Sequence, residues 1–375
     1  MRILYCIPTL GYGGAERQLS YLAAELSARG HEIHVASARG GVNLARLEAA
    51  GVEWHRVGGI GHRDPLIFFR LLRLMRRLRP DVVQTILTPM DIMGGSAALL
   101  ARTRWVLRES SSAPLYASGL RHKLRRALGR LADAVVSNSS GGADYWRSTA
   151  SAPLHVIPNA TPLAEIEAAA DAKRSEKSGL DPGVKVVLYA GRMDAGKNVE
   201  ALLAALARVA DEVPFVALMC GDGPSRARLE TLARELGVAD RVVFKGYVDN
   251  LWELMGLADA LVSMSRFEGC PNVLLEAMAC GCPLLVSDIP AHREMLDERS
   301  ACFANPDDTA GVAAALKMTL LRGDEARVRT ARARALASGR PVEATARLYE
   351  QLYKSLLGGA HDARLAARTS GGEAA

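Results

Sequence analysis

Glu268-Gly269-Cys270-Pro271-Asn272-Val273-Leu274-Leu275-Glu276-Ala277-Met278-Ala279 reads as a turn that opens directly into a helix. Pro271 has the fixed φ and missing N–H suited to a first helical position, so the helix runs from Asn272 onward. Its free amides and positive end then face the residues around Gly269, an arrangement suited to phosphate. Glu268 stands on the loop before the helix, and Glu276 lies more than a turn inside it.

Upstream, three further loops follow short β-branched or apolar runs. Gly191-Arg192-Met193-Asp194-Ala195-Gly196-Lys197-Asn198 follows the run ending at Ala190. Arg192 and Lys197 there supply a planar guanidinium fork and a compact ammonium, two cations that suit a diphosphate, although two exposed surface bases would look the same in sequence. Gly221-Asp222-Gly223-Pro224 follows another buried run, and a tight turn alone accounts for it. Gly11-Tyr12-Gly13-Gly14-Ala15-Glu16 stands between the first run and a helix. Its glycines would permit positive backbone dihedrals and close ligand approach, or simply form a turn. Position 16 is not glycine, so this is not the dinucleotide fingerprint.

Between these loops, strand-like runs alternate with helical stretches, the pattern of parallel sheets with crossover helices. Strands are expected at 2–7, 32–37, 52–57, 82–85, 105–108, 134–137 and 155–157, then at 185–190, 215–220, 242–245, 260–263, 283–286 and 301–303. Pro158, Pro162 and Pro182 interrupt the rhythm. The expected fold is therefore α/β, with two facing Rossmann-like doubly wound domains, a cleft between them and ligand at the carboxyl ends of the strands. The domains are placed at 1–162 and 163–342. A helix at about 343–358 packs back on the first, and 359–375 forms a loose Ala/Gly-rich tail.

At 375 residues, with 49% hydrophobic and 23% charged residues, the chain has the composition of a soluble globular protein with room for two cores. No apolar run reaches the ~18 residues of a membrane span. The first ten residues read as a buried strand, not a signal peptide. The six cysteines lack metal-ligand spacing and fit reduced, buried thiols in a cytoplasmic protein.

Charge is uneven along the chain. Residues 1–160 hold 21 Lys and Arg against 11 Asp and Glu, whereas the remainder has four more acids than bases. Two segments concentrate the positive charge: 64–80, with Arg70, Arg73, Arg76, Arg77 and Arg79, and 120–131, with Arg121, Lys123, Arg125, Arg126 and Arg130. Each reads as a solvated helix face or as a surface that meets anionic lipid or a phosphate-bearing acceptor. Such contact would place the chain peripherally on the inner face of a membrane. Nucleic acid is not expected, because no aromatic–basic interleaving accompanies the charge.

Taken in order, Gly13-Gly14-Ala15-Glu16, Gly191-Arg192 with Lys197-Asn198, Gly221-Asp222-Gly223-Pro224 and Glu268-Gly269 with Glu276-Ala277 resemble glycosyltransferase family 4. This is a large retaining group with the GT-B fold that includes bacterial glycan-building enzymes. Val136-Ser137-Asn138-Ser139 and Val156-Ile157-Pro158-Asn159 are similar to that family as well.

The resemblance implies a glycosyltransferase that moves a hexose or N-acetylhexosamine from a nucleotide-sugar, UDP-linked by family frequency, to a saccharide or lipid-linked saccharide. The second domain would bind the donor and the first the acceptor. Arg192 and Lys197 would hold the diphosphate, with Gly221 in the loop beside them. Glu268 would act on the transferred sugar as a catalytic carboxylate through electrostatics and positioning. Gly269, Cys270, Pro271, Asn272, Val273 and Leu274 would line the sugar and phosphate, and Glu276 would take the ribose hydroxyls. Tyr247 and Val248 would flank the base, and Gly13 and Gly14 would close over the diphosphate. No Asp-x-Asp is present. With two fixed cations in that place, no metal and no cofactor is expected. Many relatives carry a His after the fifth strand of the first domain; here Arg108-Glu109-Ser110 occupies that position. A non-catalytic nucleotide-sugar-binding subunit and a GT-B sugar-nucleotide epimerase are the alternatives on the same fold.

Overall fold

In the computed structural model, the described residues are 1–58, 64–111, 119–149, 151–174, 181, 183–249, 251–321 and 323–369. Pro182 and the last six residues of the expected tail lie outside them. The chain divides into two compact units: Met1–Ala160 together with Val342–Ala375, and Thr161–Pro341.

Among the described residues, the first unit holds seven strands: β1 (Arg2–Ile7), β2 (Glu32–Ser37), β3 (Glu53–Arg56), β4 (Val82–Ile86), β5 (Arg104–Glu109), β6 (Ala134–Ser137) and β7 (Leu154–Val156). They form one sheet in the order β3-β2-β1-β4-β5-β6-β7, and every neighbouring pair is parallel. The second unit holds β8 (Lys185–Ala190), β9 (Phe215–Cys220), β10 (Val242–Gly246), β11 (Ala260–Ser263), β12 (Leu284–Ser287) and β13 (Cys302–Ala304). Their order is β10-β9-β8-β11-β12-β13, again all parallel. In both sheets the order reverses beside the first strand of the unit, the feature that opens a crevice at the carboxyl ends of doubly wound sheets.

Helices cover both faces of each sheet, which is why the central strands read as continuous apolar runs rather than alternating ones. In the first unit, Ile3, Tyr5 and Ile7 of β1 face one core while Leu4 and Cys6 face the other. In the second, Val187 and Tyr189 of β8 face one core, and Val186, Leu188 and Ala190 the other. All six cysteines are buried and unpaired by disulfides.

The C-terminal helix spans Val342–Thr369. Ala346, Tyr349, Leu352 and Tyr353 enter the first unit's core beside Leu19, Leu22 and Leu26 of the helix Gly14–Ala28. Tyr353 donates to Gln84 Oε1 at 2.7 Å, and its hydroxyl lies 3.1 Å from that of Tyr5. The expectation of a loose tail from 359 is corrected for the described part. The helix passes through Gly358-Gly359 and continues to Thr369, because the following His-Asp-Ala-Arg-Leu-Ala-Ala-Arg is rich in strong helix formers.

The two basic helices differ. In the helix Leu66–Leu78, Arg70, Arg73, Arg76 and Arg77 are exposed, beside exposed Leu66 and Phe69. In the helix Leu120–Gly129, Arg121 and Lys123 are exposed, but Arg125 is almost fully buried. Its Nε donates to Asp91 Oδ2 and its Nη1 to Glu109 Oε2, both at 2.7 Å. Asp91 also accepts from Thr85 Oγ1 at 2.7 Å, and Glu109 from Trp146 Nε1 at 3.0 Å. Arg125 is therefore a core ion-pair residue and no part of the basic surface. Burial pushes the Asp91 carboxyl up to about 6 against the opposing pull of Arg125. Among the described residues, no helix is long and apolar enough to cross a membrane.

Candidate active site

Four loops of the second unit, three of them singled out from sequence, leave the carboxyl ends of adjacent strands. Gly191 follows β8, Gly221 follows β9, Gly246 closes β10, and Ser265–Pro271 lies beyond β11. Backbone hydrogen bonds join them. Gly191 N donates to Cys220 O at 3.0 Å, Gly221 N to Gly246 O at 2.6 Å, Met193 N to Asp222 O at 2.9 Å, and Arg266 N to Gly196 O at 2.9 Å. Gly221 has φ +121°, and a Cβ there would run into the carbonyl of Gly191. Glycine is thus required both by the dihedral and by the closeness of the two loops.

Within the β8 loop, Asp194 caps a short 3-10 turn (Ala195–Lys197) by accepting from Gly196 N at 3.0 Å. Asn198 takes φ +50° and donates to Pro306 O at 3.0 Å. These contacts fix where Lys197 leaves the turn. Its Nζ forms an ion pair with Glu268 Oε1, which also accepts from Ser265 Oγ at 2.8 Å. The structure thus brings Lys197 and Glu268 together. Arg192 is different: its side chain is exposed, and its nearest acid is Asp194, with Nε 3.7 Å from Oδ2. Its carbonyl accepts from Tyr189 Oη at 2.9 Å, which orients the backbone and leaves the guanidinium at the surface.

The helix after Glu268 spans Asn272–Cys280. Pro271 is its N-cap in extended conformation, with φ −71° and ψ 111°. This corrects the first-turn reading by one residue: a proline needs no N–H at the cap either, and its carbonyl accepts from Leu274 N at 3.1 Å. Gly269, Cys270, Pro271, Asn272 and Leu274 are buried, and Val273 is partly so. Glu276 is 2% exposed and accepts from Trp252 Nε1 at 3.0 Å. At the end of β10, Tyr247 is exposed and Val248 packs against the neighbouring core.

Sequence reading missed three side chains here. Ser265 and Trp252 hold the two glutamates. His292 is buried behind the β12 loop, with Nδ1 2.9 Å from Ser287 O. Burial holds its imidazole below the usual value, helped slightly by Lys197 and opposed by the bond to Ser287 O and by Glu268. A single His or Trp outside any glycine-rich loop carries no local signal, and only the fold brings these to the site.

In the first unit, Gly13 is the N-cap of the helix Gly14–Ala28, with φ −65° and ψ 152°. Neither Gly13 nor Gly14 adopts a positive φ, contrary to the dihedral argument. A Cβ at Gly13 would meet the end of the Glu16 side chain, which would have to shift. Glu16 accepts from Thr9 Oγ1 at 2.9 Å, and burial raises its pKa.

Arg108-Glu109-Ser110 proves mostly internal. Arg108 is buried, donates to Asn159 Oδ1 at 2.9 Å and lies over the Tyr349 ring at 5.9 Å. Glu109 is committed to Arg125 and Trp146, which removes it as a freely available acid–base group. Ser110 is partly buried, and its carbonyl accepts from Asn138 Nδ2 at 3.3 Å.

Comparisons with known proteins agree along the chain. A family model described as "Glycosyltransferase Family 4" matches residues 12–165, and one described as "Glycosyl transferases group 1" matches 171–335. A Campylobacter jejuni protein, GalNAc-alpha-(1->4)-GalNAc-alpha-(1->3)-diNAcBac-PP-undecaprenol alpha-1,4-N-acetyl-D-galactosaminyltransferase, is 28% identical over 340 residues, covering 87% of this chain and 90% of its own. The lipopolysaccharide core biosynthesis glycosyltransferase LpsE of Rhizobium meliloti is 28% identical over 287 residues, 73% of this chain and 75% of its own. Among solved structures, Anabaena Alr3699/HepE in complex with UDP and glucose superposes with a TM-score of 0.81 at 20% identity, covering 95% of this chain and 100% of that one.

Proposed function

Because the chain belongs to the family 4-like glycosyltransferases of GT-B fold, we propose that it transfers a hexose or N-acetylhexosamine from a UDP-sugar to a saccharide or lipid-linked saccharide. Transfer would proceed with retention and without a metal, in the assembly of a glycan. The observation that carries this reading is the Lys197–Glu268 pair, set between the loops of adjacent strands β8 and β11 at the head of the helix Asn272–Cys280.

As the anomeric carbon–oxygen bond breaks, negative charge grows on the diphosphate and positive charge on the sugar ring. The Lys197 ammonium, the exposed Arg192 guanidinium and the amides opening the helix stabilise the first. The Glu268 carboxylate stabilises the second. Without donor, Glu268 and Lys197 neutralise each other, and an entering diphosphate competes for the ammonium and frees the carboxylate to face the sugar. Glu276, held by Trp252, takes the ribose hydroxyls, while Tyr247 and Val248 flank the base. The UDP-bound Anabaena structure and the lipid-linked acceptor named for the Campylobacter relative support the choice of donor and acceptor class.

The test incubates the protein, pretreated with chelator, with UDP-sugars and undecaprenyl-diphosphate-linked saccharides, and reads the new anomeric centre by NMR. Transfer with the donor's configuration kept is expected. Inversion, a strict need for added metal, or isomerised donor with no acceptor present would each overturn a part of the proposal.

We infer further that the helix Leu66–Leu78 rests on anionic lipid, where lipid-linked acceptors reside. Four exposed arginines beside exposed Leu66 and Phe69 support this. Pelleting with vesicles containing phosphatidylglycerol is expected at low salt and should weaken as salt rises. Changing Arg73, Arg76 and Arg77 to Glu should abolish it, and pelleting unaffected by either change would refute the idea.

A further inference from the structure

The first unit carries a second group of polar side chains that glycosyl transfer does not use. His34 lies in the middle of β2, and Glu53 and His55 on the edge strand β3. The parallel register pairs His34 with Glu53 and Ala36 with His55. All three side chains reach one point near the amino ends of the strands, whereas the Gly11–Gly14 loop leaves β1 at the opposite, carboxyl end.

Their spacing is close to that of a coordination shell. His34 Nδ1 and His55 Nε2 are 3.0 Å apart, His34 Nδ1 and Glu53 Oε2 3.4 Å, and His55 Nε2 and Glu53 Oε1 3.6 Å. A tetrahedral zinc ion, with bonds of roughly 2.0–2.1 Å, holds its ligand atoms about 3.3 Å apart. The two ring nitrogens and the carboxylate, one oxygen facing each ring, thus surround a space of about that size. A second, independent contact fixes the chemistry of His34. Its other ring nitrogen, Nε2, lies 3.0 Å from Glu32 Oε1, and Glu32 is itself held by Arg2 Nε at 2.7 Å. A carboxylate on Nε2 places the ring proton there and turns the Nδ1 lone pair toward the other two ligands, the outer contact that ligating histidines usually make. His34 is buried, His55 partly buried, and Glu53 faces solvent. The fourth position is thus open to water.

We propose that His34 Nδ1, His55 Nε2 and a Glu53 carboxylate oxygen bind one Zn2+, with water as the fourth ligand, and that the ion ties the edge strand β3 to β2. Two imidazoles and one carboxylate suit zinc, whereas calcium and magnesium favour all-oxygen sites. The site is structural in role and separate from the donor loops.

The experiment uses the full-length, untagged chain, dialysed against chelator and titrated with Zn2+ by calorimetry. Co2+ serves as a spectroscopic probe of the same site. One equivalent of Zn2+ is expected, together with a rise in Tm and the intense visible bands of four-coordinate cobalt. Glu53→Gln and His55→Ala should each lose the equivalent and the bands. Glu32→Gln should keep one equivalent, bound roughly 10- to 100-fold more weakly. UDP binding in Glu53→Gln should match the unsubstituted protein, which separates loss of the ion from loss of fold. Absence of stoichiometric zinc in the unsubstituted protein would overturn the proposal, as would undiminished binding in Glu53→Gln.

Discussion

Replacing Lys197 by Ala, or Glu268 by Ala, is expected to lower kcat/KM for sugar transfer by roughly 10²–10³-fold, the usual effect of removing one preorganised electrostatic group from a transition state. The two substitutions should act through different stages. Without Lys197 the departing diphosphate loses a cation held between two rigid loops, so donor affinity and kcat fall together. Without Glu268 the donor retains its phosphate contacts and the ammonium is released from its partner, so UDP affinity is kept or improved while kcat falls. Arg192→Ala should be milder and appear mainly in KM, because an exposed guanidinium with only Asp194 3.7 Å away is less preorganised. Steady-state kinetics with calorimetric UDP binding separates these patterns. Full activity in both Lys197→Ala and Glu268→Ala would remove the pair from the mechanism.

Arg125→Ala should destabilise the first unit by about 3–5 kcal/mol, a penalty set less by the lost attraction than by what remains. Asp91 and Glu109 are both 0% exposed, and each would be left as a buried carboxylate without its cation. Arg121→Ala, on the exposed face of the same helix, should change stability by no more than ~0.5 kcal/mol. Adding Asp91→Asn and Glu109→Gln to Arg125→Met should recover much of the loss, since an uncharged, similarly sized set avoids the desolvation cost altogether. Urea unfolding of the variants measures this directly. An Arg125→Ala protein as stable as Arg121→Ala would show that the ion pairs contribute nothing.

This arginine also marks a limit of sequence reading. In the helix Leu120–Gly129, five of ten residues are Arg, His or Lys, and spacing alone gives no reason to single out position 125. Its partners sit 34 and 16 residues earlier in the chain, so only folding identifies it as the buried one. The partners of Glu109 were hidden for the same reason. An acid at the carboxyl end of β5 has the position of a functional residue, and nothing local reveals that Arg125 and Trp146 already hold it.

Strands were far more legible. Buried parallel strands are apolar throughout and bounded by Gly, Asp or Pro, and the expected runs at 2–7, 32–37, 134–137, 185–190, 215–220 and 260–263 coincide with β1, β2, β6, β8, β9 and β11. The turns after β8 and β9 were legible because tight turns at strand ends favour glycine, and Gly191 and Gly221 both have positive φ. Gly13 looked like one of these and is not: its φ is −65°, and a Cβ there would meet only the end of the Glu16 side chain.

The return of residues from Val342 onward to the first unit has a consequence for synthesis. A nascent chain emerging from the ribosome completes the second unit before it releases the segment bearing Tyr349 and Tyr353. Until then Tyr5, Gln84 and the apolar side of the helix Gly14–Ala28 stay uncovered. The unit bearing Tyr5, although made before the second, therefore matures after it, and a ribosome stalled ahead of Val342 leaves behind a chain whose earlier layer still exposes a sticky flank.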